Sequence, residues 1–336
     1  MLGLTRSLES VDNVRVALVG CGAVARTHLP AIRRLAGTDV VAVCDRDEGR
    51  AAAIANEFGV PGIYRDLAEL FVHERLDAVH ILTPPATHRE MTVEALRRGA
   101  HVLVEKPMAL SSGEADDMID AARRHDRSLA VCHNFLFEPA LVCARRLAED
   151  GSLGEILSVD AYWTAYRLGQ PDRYSHTAWI QQLPGGAVHE IAPHAVYALQ
   201  AFLGPIEIVH AAVRTPSNLP SPCEQAHVLF SGTLALGSAS LSLSTRPLTI
   251  RVRVHGTDAS VEADLIRHVA VVDGTHPVTR SPRSVSEYPG HDALIARFYE
   301  SLRTGTSPPV TGEQGRDVVA VLDRLWSVIE PVGPPS

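Results

Sequence analysis

Between Val14 and Asn134 the chain alternates short apolar runs with amphipathic stretches. The apolar runs VRVALVG, VVAVCD, AVHILT, HVLVEK and LAVCHN read as buried strands. The intervening AVARTHLPAIRRL, EGRAAAIANEF, DLAELFV, THREMTVEALRRG and GEADDMIDAARRH read as helices, the first with Leu29, Ile32 and Leu35 on its apolar side. Buried strands interleaved with helices predict an α/β unit with a parallel, doubly wound sheet. After a helix around PALVCARRLAEDG the texture changes. The segments ILSVDAYWTAY, IEIVHAAVRT, AHVLFSGTLALGSASLSLST, TIRVRVHG and AVVDG are strand-like and joined by short turns. They predict an α+β domain with a large open, mostly antiparallel sheet, one face of it solvated or covered by a partner. A helix interrupts these strands at about 187–203, and helices at about 292–303 and 313–329 close the chain. The expected domains are 1–138 and 139–336, with the C-terminal helix free to pack back on the first.

Composition narrows the class. The 336 residues suffice for two domains. Hydrophobic residues are 46% and charged residues 21%, an ordinary globular balance. Net charge is −8 and no run of Lys or Arg occurs, which argues against nucleic-acid and membrane-surface partners. The start, MLGLTRSLESVDN, lacks the apolar core of a secretion signal. No apolar stretch approaches the ~18 residues of a membrane span. The five cysteines are scattered and lack metal-ligand spacing, so no metal is expected. Cys21, Cys44 and Cys132 lie in or beside apolar strands and read as small core residues of a reduced, cytoplasmic protein.

In a doubly wound sheet, ligands bind beyond the carboxyl ends of the strands. The first such end is VRVALVGCGAVARTHLPAIRRL, a G-x-G-x-x-A turn between strand and helix. Gly20 tolerates the turn's backbone angles, Gly22 has no side chain to hold a pyrophosphate away, and Ala25 lets the helix pack closely. Ala23 and Val24 complete the turn, and the helix N-terminus offers N–H groups to phosphates. The next strand ends at Asp45, roughly 20 residues on, where a carboxylate binds the adenosine ribose hydroxyls. It repels a 2′-phosphate, so NAD is expected over NADP, with Arg46 beside it as a partner for adenine or phosphate.

Three more constellations follow. ILTPPATH puts Thr83, Pro84 and Pro85 after a strand, with His88 next. HVLVEKPMALS puts Glu105 and Lys106 at a strand end, Lys106 restricted by Pro107. Asn134 ends the fifth apolar run, and Thr83, Pro84, His88, Glu105, Lys106 and Asn134 are expected to contact the bound cofactor. LPGGAVHEIAPHAVY carries a glycine pair, then His189, Glu190 and His194, and residues four apart share a helix face. Pro193 makes that spacing uncertain, because proline either sits in a first turn or kinks a helix. Tyr162, Trp163, Tyr166 and Arg167 alternate along one strand, so one face alone sees a cleft; Arg167, Arg173 and His176 form a polar stretch suited to substrate or to solvent.

With these residues in view, the chain resembles the glucose–fructose oxidoreductase / inositol dehydrogenase / MocA (Gfo/Idh/MocA) family over essentially its whole length. The resemblance rests on VGCGAVA, TPPATH, EKP, GSLGEI, GGAVHEIAPH and PPVTGEQGRDVVAVLDRLW. It implies a Rossmann domain and an NAD-dependent oxidoreductase that moves a hydride between nicotinamide and a hydroxyl or keto carbon of a sugar, cyclitol or sugar derivative. It places Lys106 near the nicotinamide and makes His194 the general acid/base, with Glu190 where the family has aspartate. Tyr166, Arg167, His176 and His189 join Lys106, Glu190 and His194 as the expected substrate contacts. HNFLFEPA departs from the arginine many relatives carry there. Sheet-to-sheet homodimers or homotetramers are implied. The alternatives are an NAD-retaining glycoside-cleaving enzyme, another carbonyl or imine reductase, and a non-catalytic nucleotide sensor.

Overall fold

The computed structural model describes residues 13–166, 178–214, 223–233, 235–273, 276–280, 287–328 and 330–331. Its contacts divide these into two compact units, 13–134 with 287–319, and 135–280 with 320–331.

The first unit opens with β1 (Val14–Val19), α1 (Ala25–Arg33), β2 (Thr38–Cys44), α2 (Glu48–Phe58), β3 (Gly62–Tyr64) and α3 (Leu67–His73). It continues with β4 (Ala78–Ile81), α4 (His88–Arg97), β5 (His101–Val104), α5 (Ser112–His125) and β6 (Leu129–Val131). The six strands are parallel in the order β3-β2-β1-β4-β5-β6. Every residue of β4, β5 and β6 is buried, as a sheet covered on both faces requires. The chain starts centrally, winds outward through β2 and β3, and returns beside β1 as β4. The point of reversal, between the ends of β1 and β4, is where such folds take a ligand. The three-residue β3 leaves no apolar run and escapes a reading by pattern. Leu29 and Ile32 of α1 are fully buried, but α1 stops at Arg33, so Leu35 lies beyond the helix.

Asp47, Asp66 and Ser111 cap α2, α3 and α5 by accepting from backbone N–H groups, at Arg50, Glu69 and Glu114. Val24 precedes α1 and offers no such side chain.

The second unit contains α6 (Pro139–Glu149), β7 (Ile156–Tyr166), α7 (Gly186–Leu203), β8 (Glu207–Arg214), β9 (Gln225–Ser231) and β10 (Leu236–Ser242). β11 (Ser244–Gly256), β12 (Ser260–Asp264), β13 (Val269–Val272) and β14 (His276–Arg280) follow. α8 (Pro289–Thr304), a helix of the first unit, and α9 (Gly312–Val328) precede β15 (Glu330–Pro331). The sheet runs β14-β13-β12-β11-β7-β10-β9-β8-β15. β7 with β10 and β8 with β15 are parallel, and the other pairs antiparallel. Alternation decides its faces. Ala226, Val228 and Phe230 of β9 are buried on the side where α7 covers β7 and β10.

The other face is uncovered among the described residues, with Tyr162, Leu229 and Leu236 at 39%, 51% and 62% exposure. Polar groups share this face with the apolar ones. Asp160 there accepts from the Ser238 hydroxyl, and Arg251 pairs with Glu262 and Asp264. In the first unit, α8 packs on α1 through a buried face that includes Leu294, Ile295, Phe298 and Tyr299. Gly315 of α9 lies so close to β6 and the segment after β5 that a Cβ would fall 2.8 Å from the Met108 sulfur.

Candidate active site

The turn after β1 is built from backbone. Gly20 has φ +102°, and a Cβ on it would sit 2.7 Å from the Leu82 carbonyl carbon. That φ and that space are both closed to other residues. Its N–H donates to the Cys44 carbonyl (2.8 Å), and the Leu82 N–H donates to Val19 (2.7 Å), so the turn is wedged between the ends of β2 and β4. Gly22 faces the opposite condition: a Cβ there would meet nothing within 4 Å. Gly22, Ala23 and Val24 are exposed, and their N–H groups meet no backbone acceptor among the described residues. Open space, unengaged donors and an uncapped helix start make a cradle that fits a pyrophosphate.

Asp45 closes this cradle on the β2 side. Its Oδ2 accepts from the Cys21 N–H (2.8 Å) and its Oδ1 from the Asp47 N–H (2.9 Å). Each carboxylate oxygen keeps further acceptor capacity, which ribose hydroxyls can use and a 2′-phosphate cannot. Arg46 is exposed beside it. These residues fit NAD.

The loops after β4 and β5 are tied together by His88. Its ring lies between two carbonyl oxygens, Nδ1 2.9 Å from Pro107 and Nε2 2.6 Å from Thr83. Burial lowers its pKa, although both carbonyls work to raise it. His88 is fully buried, so it positions the two loops and does not line the cradle, contrary to the expectation that it contacts cofactor. Thr83 is half-buried and accepts from the Thr87 hydroxyl at 2.8 Å; Pro84 is half-buried next to it. Lys106 is half-buried, and the Lys106–Pro107 peptide is cis. Asn134, after β6, is buried.

Glu105 also points inward. Its Oε1 lies 3.1 Å from His28 Nε2, and its Oε2 accepts from the Lys106 N–H at 3.1 Å. Burial alone would raise this carboxyl. The His28 hydrogen bond and the charges of His28, His291 and Lys106 outweigh it and bring Glu105 below the usual carboxylate range. Behind Glu105, His28 Nδ1 meets His80 Nδ1 at 2.8 Å and His80 Nε2 meets the Tyr299 hydroxyl at 2.8 Å. Nothing in the apolar pattern announced this chain of buried polar groups.

In the second unit α7 starts at Gly186, so Pro193 lies inside the helix and His189, Glu190 and His194 are all helical. Glu190 is half-buried one turn before His194. His194 is 8% exposed, and its Nδ1 lies 2.7 Å from the Tyr197 hydroxyl. The Tyr197 oxygen also accepts from the Phe135 N–H at 3.3 Å. Phe135 and Tyr197 meet the imidazole edge-on at 4.8 and 5.6 Å, and Trp163 stacks on it at 6.2 Å. Tyr197, Phe135 and Trp163 were not singled out as partners of His194, although the three-residue spacing of His194 and Tyr197 is a helical-neighbour signal. His189 is buried and stacks on Trp326 at 5.4 Å. Tyr162 lies on the uncovered face, opposite Trp163. The Tyr166 backbone pairs with Ser244; its side chain, and all of Arg167, Arg173 and His176, lie outside the described residues.

Comparison with known proteins matches most of the chain. Residues 14–133 match the model described as "Oxidoreductase family, NAD-binding Rossmann fold", and residues 142–262 match the GFO/IDH/MocA C-terminal domain. D-apiose dehydrogenase of Paraburkholderia graminis is 25% identical over 96% of this chain and 89% of its own. D-xylose 1-dehydrogenase (NADP(+)) 2 of Haloferax volcanii is 29% identical over 87% of this chain and 90% of its own. Among solved structures, the WlbA dehydrogenase of Bordetella pertussis in complex with NADH and UDP-GlcNAcA has the same fold. It superposes with a TM-score of 0.82 at 22% identity, covering 94% of this chain and 95% of that one. The chain belongs to the Gfo/Idh/MocA family of NAD-binding oxidoreductases.

Proposed function

We propose that the protein oxidises a hydroxyl, or reduces the matching carbonyl, on a sugar or sugar derivative, with NAD as its preferred cofactor. The sugar class is supported by relatives whose names include an apiose and a xylose dehydrogenase. Bound nicotinamide supplies or accepts the hydride. Within the protein, Gly22, Ala23 and Val24 hold the pyrophosphate and Asp45 orients the adenosine ribose. Lys106 stabilises negative charge on the substrate oxygen, and His194 exchanges that oxygen's proton. Glu190 is assigned to orienting substrate or His194.

The observation that carries the acid–base role is the 2.7 Å contact between His194 Nδ1 and Tyr197. Exchange of a proton at Nε2 requires Nδ1 to keep its hydrogen in both the neutral and the charged ring. With the ring hydrogen on Nδ1, the Tyr197 oxygen is the acceptor that provides that. General acid–base help of this kind contributes about 10²–10⁴-fold.

We also infer a homo-oligomer formed through the uncovered face of the nine-stranded sheet. Tyr162, Leu229 and Leu236 supply its apolar area, and Asp160 and Arg251 its polar pattern.

A panel of pentoses, hexoses, cyclitols and their keto forms, followed by NADH absorbance, tests the reaction. A sugar that changes NADH in a substrate-dependent way is the expected result. Turnover of glycosides with no net NADH would replace this reading by the glycoside-cleaving one, and NAD binding with no turnover of either kind would replace it by a sensor.

A further inference from the structure

The buried cluster behind Lys106 holds groups that hydride transfer does not use. His28 comes from α1, Glu105 from the end of β5, Cys132 from the end of β6 and His291 from the first turn of α8. Each offers one ligand atom, and the four atoms all lie within 4.8 Å of one another. His28 Nε2 is 3.1 Å from Glu105 Oε1 and 3.9 Å from Cys132 Sγ. In a tetrahedral zinc site with bonds of about 2.0–2.3 Å, ligand atoms stand about 3.3–3.7 Å apart. The cluster therefore needs only small side-chain adjustments to reach that geometry.

Three further observations point the same way. His291 Nδ1 is fully buried with no hydrogen-bond partner, a state that costs free energy unless something supplies a bond. One thiolate, one carboxylate and two neutral imidazoles balance a divalent cation, so the filled site carries no net charge into the core. The outer contacts are in place as well. With Nε2 as ligand, His28 Nδ1–H donates to His80 Nδ1, and His80 Nε2–H donates to the Tyr299 oxygen, each across 2.8 Å. Such a chain fixes the tautomer of a ligating histidine. Glu105 Oε2 already accepts from the Lys106 N–H, which leaves Oε1 as the ligand.

We propose that His28, Glu105, Cys132 and His291 form a structural site for one divalent transition-metal ion of the zinc class. A thiolate with two imidazoles selects zinc or cobalt over magnesium or calcium, which take oxygen ligands. The ion fastens α8 and α1 to the ends of β5 and β6, and with four protein ligands it keeps no open position for chemistry. Cysteine spacing could not reveal the site, because the four ligands lie far apart along the chain.

The test uses the full-length protein, treated with chelator, incubated with zinc or cobalt chloride and desalted. Mass spectrometry should find about one zinc per chain, the stoichiometry of a single four-ligand site. The cobalt form should show a thiolate-to-metal absorption band in the near ultraviolet. Cys132→Ser should abolish that band, and His291→Phe should weaken retention by about tenfold or more. Retention of no metal by the wild type overturns the proposal and leaves a hydrogen-bonded core. So does retention unchanged in the Cys132→Ser/His291→Phe double variant, which would place the metal elsewhere. Should Cys132→Ser fail to fold, the wild-type cobalt spectrum decides: without a thiolate band the site does not exist.

Discussion

The turn after β1 and the surroundings of His194 are both assigned to the same reaction, yet they are built in opposite ways. The turn is backbone. Gly20 is forced by its φ of +102° and by the 2.7 Å approach of Leu82, and the donors for phosphate are N–H groups. The His194 site is made of side chains from separate elements. Tyr197 is on the same helix, Trp163 on β7, and Phe135 precedes α6. A backbone site must be contiguous, so its signature is written in one stretch of sequence. A side-chain site draws on residues brought together only by folding, and any one of them looks ordinary in isolation.

The largest expected effect tests the backbone half. Gly20→Val combines a disallowed φ with a clash against backbone. Each such strain costs about 1–3 kcal/mol, so NAD affinity measured by calorimetry should fall by about 10²-fold or more and thermal stability should fall with it. Gly22→Val should weaken NAD while leaving the melting temperature nearly unchanged, because its side chain enters open space. Equal stability losses in the two variants would break the distinction between a strained turn and an open cradle.

Tyr197→Phe tests the side-chain half. It removes the acceptor at His194 Nδ1 but keeps the ring packing. Its kcat should drop about tenfold, at the lower end of what a hydrogen bond to a charged group contributes. KM should change little and the pH–rate profile should shift. A variant with unchanged kcat and profile would reduce Tyr197 to packing.

A smaller effect is expected at Asp45. Asp45→Ser removes the charge that opposes a 2′-phosphate and should narrow the preference for NAD over NADP by roughly tenfold, about 1.4 kcal/mol. A wild type that binds NADPH more tightly would transfer the determinant to Arg46.

A test that leaves activity aside separates the fold of the first unit from its site. Burial, and secondarily the Arg127 charge, lower the His101 pKa from 6.5 to about 4. Its Nδ1 accepts from the Ser128 N–H at 2.9 Å, a bond that protonation at Nδ1 would break. The unfolded chain takes up a proton below pH 6.5 that the folded chain refuses until about pH 4. Stability from this group is thus complete above pH 6.5 and lost as pH falls through that window, by on the order of 3 kcal/mol. Melting temperatures followed on acidification should decline less steeply in His101→Gln. An equal decline would assign acid sensitivity to other buried groups.

The same contrast explains what could be read from the chain beforehand. The α/β and antiparallel halves were legible because β1, β4, β5 and β6 are apolar at every position but Arg15, His80 and His101, and β9 alternates strictly. The three-residue β3 was not, since a strand that short leaves no pattern. His88 and Glu105 stand at the expected strand ends, but sequence position does not say whether a side chain faces the cradle or the core. Both face the core, where carbonyls and histidines hold them. The His189–Trp326 stack pairs residues far apart along the chain, which no local motif records.

The most direct test is the rate of hydride transfer in a single turnover, measured with an active sugar for wild type and His194→Ala, alongside NAD affinity. The expected result is a fall of about 10²-fold or more in transfer with NAD affinity essentially unchanged. Undiminished transfer in His194→Ala would contradict the acid–base role of His194 and of the aromatic setting around it.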